Sequence, residues 1–367
     1  MKKVLSVVGA RPNFMKVAPL HRTFVAQHPE IEHQICHTGQ HYDPRMSDAF
    51  FNDLDMPAPA YFLGVGSGSH AEQTARVMVE FEKVCLEAKP DCVIVVGDVN
   101  STIACTLTAA KLHIPTIHVE AGLRSFDRTM PEEINRIATD AICDYCFVTE
   151  QSGMDNLAHD GYPAERTFFV GNTMIDSLMY ALPKAEQSGV VQECGLTPKS
   201  YVLMTLHRPS NVDDPQQLAM LLDVFEELSS QRDVVFPIHP RTRKNMEQSG
   251  LLARTEANPR IHLIEPQGYV RFLALMKNAD FVMTDSGGIQ EETTVLGVPC
   301  LTLRTTTERP VTVSLGTNIL IQPNGKEIRE AMNALLTQPR KKGTVPPLWD
   351  GKAAERICEI ITTTVLA

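Results

Sequence analysis

Long apolar runs are missing from this chain. No stretch approaches the roughly 20 residues of a membrane helix. The opening strand-like run, residues 4–8, holds only about five apolar residues before Arg11 and Pro12 interrupt it. Neither a membrane span nor a signal peptide is therefore expected. Positive charge is also scarce: the formal net charge is −10, which argues against a nucleic-acid or anionic-membrane surface as partner. Any phosphate site must then be a local concentration of Arg, Lys and His. The histidines stand in His-x-Glu, His-Arg and His-Pro contexts, without a HExxH pattern or a compact His/Asp cluster, so no metal is expected. Nine cysteines fall mostly in apolar patterns and read as buried free thiols of a cytoplasmic protein. Cys143-Asp144-Tyr145-Cys146 is a single CxxC with no second pair nearby. No Gly-x-Gly-x-x-Gly follows the first strand-like run, so the dinucleotide fingerprint is absent and no NAD cofactor is expected.

What is present is alternation. Residues 4–8, 92–96, 116–119 and 146–149 read as buried parallel strands in the first half, and 201–205, 234–238, 261–263, 281–284 and 299–303 repeat the pattern in the second. Amphipathic stretches lie between them; in residues 71–88, Thr74, Met78, Phe81 and Cys85 share a face, with Val77, Val84 and Ala88 beside it. Strand–helix alternation implies parallel α/β sheets, and the 367 residues suffice for two cores. The fold class expected is α/β, with two Rossmann-like doubly wound domains at residues 1–182 and 199–352. The polar stretch 183–198 is the expected linker, and a helical tail, 353–367, is expected to pack back on the first domain.

Polar residues gather where these strands should end, the usual place for sites in open α/β sheets. Thr284-Asp285-Ser286-Gly287-Gly288-Ile289-Gln290-Glu291-Glu292 follows a strand and opens a helix that should stop at Gly297-Val298-Pro299. Such a turn presents backbone N–H groups to phosphate oxygens, and Gly287 and Gly288 let the backbone approach closely. Glu291 or Glu292 could accept hydrogen bonds from sugar hydroxyls. Ser286 lacks the Gly-x-Ser-x-Gly surroundings of a nucleophile. Gly9-Ala10-Arg11-Pro12-Asn13-Phe14-Met15-Lys16 also follows a strand and reads as a second anion-binding turn. Two such turns suggest a nucleotide-linked ligand held between two lobes. Gly97-Asp98, His118 to Arg124, Pro131 to Arg136, His207-Arg208-Pro209, His239-Pro240-Arg241 and Thr307 to Pro310 end or follow other strands. Glu132 and Glu133 would suit a helix N-terminus by charge alone. Glu120, directly after an apolar run, is either paired in a cleft or catalytic. Gly64-Val65-Gly66-Ser67-Gly68 fits a mobile active-site loop or a plain connector, and no site residue is assigned to it.

These pieces together resemble the non-hydrolysing UDP-N-acetylglucosamine 2-epimerases, over nearly the whole chain. The resemblance implies a glycosyltransferase-B-like fold with an interdomain cleft, a homodimer, and interconversion of UDP-GlcNAc and UDP-ManNAc for cell-envelope polysaccharides. The chemistry fits the residues. C2–H of a pyranose is too weak an acid for direct removal, and the missing NAD fingerprint favours expulsion of UDP from C1. A base takes the C2 proton, the C1–O bond breaks toward UDP, and 2-acetamidoglucal forms; re-addition delivers a proton to the opposite face. By position, Arg11 would hold the diphosphate, Ser286, Gly287 and Gly288 would bind its oxygens, and Arg309 would add charge. His207 would assist UDP departure, Glu292 would take the ribose hydroxyls, Phe272 would stack on uracil and Gln267 would lie near the base. Lys16, Asp98, Glu120, Glu132 and Arg136 would surround the hexose, with Asp98, Glu120 and Glu132 as the acid/base set. Which of the three removes the proton is left open by the sequence. Asp98-Val99-Asn100, a short Arg124-to-Pro131 segment and the longer loop Gln40-His41-Tyr42-Asp43-Pro44-Arg45-Met46 depart from the common pattern. They leave open a UDP-2,3-diacetamido sugar as substrate and a loss of substrate activation; a glycosyltransferase of the same architecture is a separate rival reading.

Overall fold

A computed structural model describes residues 1–40 and 53–367. The Arg11 side chain and residues 41–46 of the loop named above lie outside the described residues. The chain divides into two compact units, Met1–Ala181 with Pro347–Ala367, and Leu182–Pro346.

The first unit is built on a parallel sheet of seven strands: β1 (Lys2–Val8), β2 (Ile31–His37), β3 (Tyr61–Phe62), β4 (Cys92–Val96), β5 (Thr116–Ala121), β6 (Tyr145–Val148) and β7 (Thr167–Phe169), in the order β3-β2-β1-β4-β5-β6-β7. The order reverses between β1 and β4, and that reversal opens a crevice at their carboxyl ends. Strand β4 is buried along its length, because helices cover both faces of a parallel sheet. Helix His70–Ala88 starts from Ser69, whose hydroxyl accepts from the Glu72 amide while Glu72 reaches back to the Ser69 amide. Its buried side is Gln73, Val77, Phe81, Val84, Cys85 and Ala88. The apolar stripe expected through Thr74 and Met78 is therefore turned slightly, and Val79 and Leu86 face solvent. The tail returns to this unit. Trp349, the single tryptophan, is buried and donates its indole N–H to Thr149 O at 2.8 Å. Helix Ala353–Ile360 then packs on helix Arg11–Gln27, its first amides capped by Asp176.

The second unit repeats the plan with six parallel strands: β8 (Tyr201–Thr205), β9 (Asp233–Pro237), β10 (Ile261–Ile264), β11 (Phe281–Thr284), β12 (Cys300–Leu303) and β13 (Asn318–Ile321), ordered β10-β9-β8-β11-β12-β13. The reversal here lies between β8 and β11. Helix Gly287–Leu296 ends at Gly297, whose φ of 67° is the left-handed cap that glycine adopts without a Cβ penalty. The polar stretch 183–198 is not bare linker: helix Thr173–Glu186 runs through Pro183, and a short helix, Val190–Glu193, follows Gly189. Val190 and Val191 are buried, which is the reason this polar sequence orders. All nine cysteines are free and eight are buried. Cys143 Sγ lies 3.4 Å from Cys146 Sγ. That contact and burial both push the Cys146 thiol up. Among the described residues no helix is long and apolar enough to cross a membrane, and no His/Cys/Asp/Glu group could hold a metal ion.

Candidate functional site

In the first unit the candidate acids converge at the carboxyl ends of β4 and β5. Strand β5 carries an irregularity at Glu120: its pairing with β6 shifts between Val119 and Ala121. Glu120 itself has a φ of 78°. A left-handed, non-glycine residue in a strand is strained and persists only where its surroundings hold it. Here Lys16 forms an ion pair with Glu120, with both side chains under a tenth exposed. Gly97 closes over them. A Cβ there would lie 2.9 Å from Lys16 Nζ and 3.4 Å from Glu120 Oε2, and its φ is +69°, so the position requires glycine. Asp98 follows, paired to buried Arg136 on helix Pro131–Ile142. Arg136 is also bound by Glu133, whose Oε2 accepts Nε at 3.0 Å and Nη2 at 2.7 Å.

The adjacent glutamates of that helix have separate fates. Glu133 is buried and accepts from the amides of Ser125 and Phe126 at 2.9 Å each. Burial alone would raise its carboxyl, but the Ser125 amide, Arg136 and the Phe126 amide hold it below its ordinary value. Glu132 instead lines a cavity of about 210 Å³ together with Asp98. The rest of that wall includes Gln40, which opens the long loop named above, and His70, Gln73, Asn100 and Asn135, to which the sequence assigned no role of their own. Asn100 Nδ2 donates to Gln73 Oε1 at 2.8 Å, and Asn135 Nδ2 to Asp98 O at 2.9 Å. Ser67 and Gly68 line it too, so the glycine-rich loop is more than a connector. Gln73 Nε2 holds Gly66 O at 2.9 Å and Arg76 Nη2 holds Ser67 O at 3.3 Å. The available signal was the capping box of Ser69 and Glu72, which fixes the loop's exit.

The turn at Gly9 differs from its expectation. The Gly9 and Ala10 amides donate to Asn13 Oδ1 at 3.0 and 2.9 Å, while Asn13 Nδ2 reaches Val96 O. These N–H groups serve the fold, and Pro12 has none to offer. Gly9 is needed for close approach: a Cβ would lie 2.5 Å from Ser101 Oγ.

In the second unit the residues around the β8/β11 reversal do come together. Ser286 is the N-cap of helix Gly287–Leu296, and its hydroxyl makes no cap bond. The Gly287 and Gly288 amides open the helix, where no intrahelical acceptor reaches them. Fully buried Asp285, not singled out from the sequence, is the clamp. It accepts from the His207 amide at 3.0 Å, the Arg208 amide at 2.9 Å and Asn211 Nδ2 at 3.2 Å, and meets His207 Nδ1 at 2.9 Å. Burial would raise the Asp285 carboxyl, but His207 and these amides hold it below its ordinary value. The contact orients the half-exposed imidazole through its Nδ1.

Arg309 lies beneath the same turn: a Cβ on Gly287 would stand 3.1 Å from Arg309 Nη1. Its charge is matched by Glu291, at 2.6 Å from Nε, and by Glu308, which also holds Arg304 at 2.9 Å. Arg309 is thus a buried member of a four-charge network and not an isolated cation. Glu292 is buried and accepts from the Tyr269 hydroxyl at 2.7 Å. Burial lifts its carboxyl to about 7. Phe272 is half-buried on helix Tyr269–Asn278. Gln267, just before it, donates to Glu265 O at 2.7 Å and accepts from Arg271 Nε at 2.9 Å.

Known proteins resemble this chain in sequence and fold. The family model described as UDP-N-acetylglucosamine 2-epimerase matches residues 24–362. The UDP-N-acetylglucosamine 2-epimerase of Methanocaldococcus jannaschii is 42% identical over 365 residues, covering 98% of this chain and 99% of its own. The UDP-2,3-diacetamido-2,3-dideoxy-D-glucuronate 2-epimerase of Pseudomonas aeruginosa is 40% identical over 323 residues, 87% of this chain and 88% of its own. The crystal structure of the M. jannaschii UDP-GlcNAc 2-epimerase in complex with UDP-GlcNAc and UDP superposes with a TM-score of 0.90 at 42% identity, covering 98% of this chain and 99% of that one. Two parallel sheets flanked by helices make this the glycosyltransferase-B-like α/β fold.

Proposed function

Because the chain belongs to the UDP-N-acetylglucosamine 2-epimerase family, we propose that it interconverts UDP-GlcNAc and UDP-ManNAc by elimination and re-addition of UDP. The observation that carries this reading is the gathering of Asp98, Glu120 and Glu132 around β4 and β5, with Lys16 and Arg136 as counter-charges. A protein that only bound the nucleotide would need no such set. In this reading a carboxylate takes the C2 proton, C1–O cleavage releases UDP with the bonding pair, and a second acid returns a proton from the other face. The nucleotide falls to the second unit: Gly287, Gly288 and the Ser286 hydroxyl take phosphate oxygens, His207 assists departure, Glu292 takes the ribose, and Phe272 and Gln267 take the base. Arg11 would add a diphosphate contact. The reaction uses no metal and no NAD.

The test is proton NMR of pure UDP-GlcNAc incubated with the protein in D2O. UDP-ManNAc carrying deuterium at C2 supports the reading; full retention of the original hydrogen, or free ManNAc as product, sinks it. The relative from P. aeruginosa supports a second substrate, a UDP-2,3-diacetamido uronate, and running both sugars side by side separates the two. We further propose a homodimer. It is supported by the family resemblance and by Val79, Leu86, Ile134 and Ile142, exposed on helices His70–Ala88 and Pro131–Ile142; a monomer by light scattering at micromolar concentration refutes it. The nine free thiols support a reducing, cytoplasmic setting, and supply of cell-envelope polysaccharide precursors is the role that fits the product.

A further inference from the structure

The three candidate acids leave three different elements: Asp98 the turn after β4, Glu120 strand β5, and Glu132 helix Pro131–Ile142. One buried side chain touches all three elements. His118 is fully buried on β5, with Nδ1 at 2.6 Å from Asp140 Oδ1 of that helix and Nε2 at 2.8 Å from the carbonyl oxygen of Gly97. The carbonyl can only accept a hydrogen bond. The Asp140 carboxylate also acts as an acceptor, because its other oxygen takes the Gly122 amide at 3.1 Å and Arg124 Nη1 at 2.6 Å. Two acceptors against two ring nitrogens require two N–H groups, which only the imidazolium has. Burial by itself would lower His118, but the Asp140 hydrogen bond and charge outweigh it and hold the ring above its ordinary value.

We propose that His118 is a positioning residue: a constantly protonated imidazole that ties the Gly97 carbonyl to helix Pro131–Ile142 and so fixes the direction of Asp98 relative to Glu120. The role rests on the epimerase reading. The Gly97 peptide is the lever, since Asp98 follows it directly and a turn packed against Lys16, Asn13 and Glu120 has no room to re-aim by itself. The charged and titratable groups around His118 are Asp140 and Cys143 from helix Pro131–Ile142 and its end, Arg124 through Asp140, and across Gly97 the Lys16–Glu120 pair. The same carboxylate of Asp140 grips the Gly122 amide just beyond the Glu120 bulge, so one dyad sets the approach of two acids.

The experiment has two arms. In the first, the wild-type protein is labelled with ¹⁵N-histidine and followed by NMR from pH 6 to 9, with the His118 signals assigned by their loss in His118→Gln. Both ring nitrogens should stay protonated throughout; a neutral tautomer, or a titration near the ordinary histidine value, overturns the proposal. In the second, His118→Gln and Asp140→Asn are assayed with UDP-GlcNAc and with its C2-deuterated form. A misaimed base should lower kcat by about 10–100-fold, leave KM and UDP affinity within about threefold, and raise the C2 isotope effect. A smaller folded fraction lowers kcat without moving the isotope effect, so an unchanged isotope effect overturns the positioning role. If His118→Gln does not fold, Asp140→Asn and the NMR arm still decide, the signal then being assigned by elimination among the other histidine variants. A wild-type protein that does not epimerise overturns the reading beneath the role, while the NMR result stands apart from it.

Discussion

Replacing Glu292 with glutamine should make the ligand-free protein more stable while weakening its nucleotide binding. Glu292 is buried on helix Gly287–Leu296, with the Tyr269 hydroxyl as its donor and Glu291 as its neighbour along the chain. Burial, helped by the Glu291 charge and only partly offset by Tyr269, carries its carboxyl from 4.5 to about 7. That displacement corresponds to about 3 kcal/mol against ionisation. Below pH 4.5 the group is protonated in folded and unfolded chains alike and costs nothing. Between 4.5 and about 7 the unfolded carboxyl ionises first, so stability falls as pH rises; above about 7 the loss is complete. Glutamine keeps the oxygen that accepts from Tyr269 and cannot ionise. Unfolding of the ligand-free second unit, followed by calorimetry at pH 5 and pH 8, should show little difference at pH 5. At pH 8 the variant should gain up to about 3 kcal/mol, or roughly 5–10 °C in Tm. UDP should bind roughly 10–100-fold more weakly, since a charge-assisted bond to a ribose hydroxyl is lost. Wild-type affinity for UDP should also fall as pH drops below 7, because the proton must leave before the carboxylate can accept two hydroxyls. A variant no more stable than wild type at pH 8, or one equally stabilised at both pH values, would refute the reasoning.

Asp98→Asn, Glu120→Gln and Glu132→Gln should each lower kcat by about 10²–10⁴-fold with UDP binding largely kept, as positioned acid–base groups do; a member that loses less than about threefold is outside the set. Phe272→Ala should weaken UDP binding by roughly 10–100-fold with a much smaller change in kcat, the span of a lost base stack, and titration calorimetry with UDP measures it. Trp349→Ala should cost the first unit about 3–5 kcal/mol and release the tail to limited proteolysis; a tail that stays resistant would show that the indole and its bond to Thr149 are not what docks it.

The alternation of apolar runs and amphipathic stretches was enough to read two parallel α/β sheets, because strands covered on both faces must be apolar without interruption, as β4 and β8 are. The turns were legible for a similar reason: Gly97, Gly287 and Gly297 stand where a backbone must approach closely or turn left-handed, and few other residues can. Strand β2 was not legible. Its Glu32, His33 and Gln34 are only partly buried, and the run breaks the apolar pattern that marks a strand; β3, β7 and β13, only two, three and four residues long, were not read either. Tertiary structure alone decided how the charges are used. Glu132 and Glu133 are neighbours in sequence, yet a helix turns each residue well away from the last, and so one locks Arg136 and a loop while the other faces the cavity. Arg309 read as a lone cation, but beside its own neighbour Glu308 the fold also brings Glu291 from 18 positions away. His118 and Asp285 stood inside motifs at strand ends with no role of their own, and their partners come from 22 and 78 positions away. A buried charge has to be matched by whatever the fold brings within reach, and that reach is set by packing across the chain, which no local pattern of residues records.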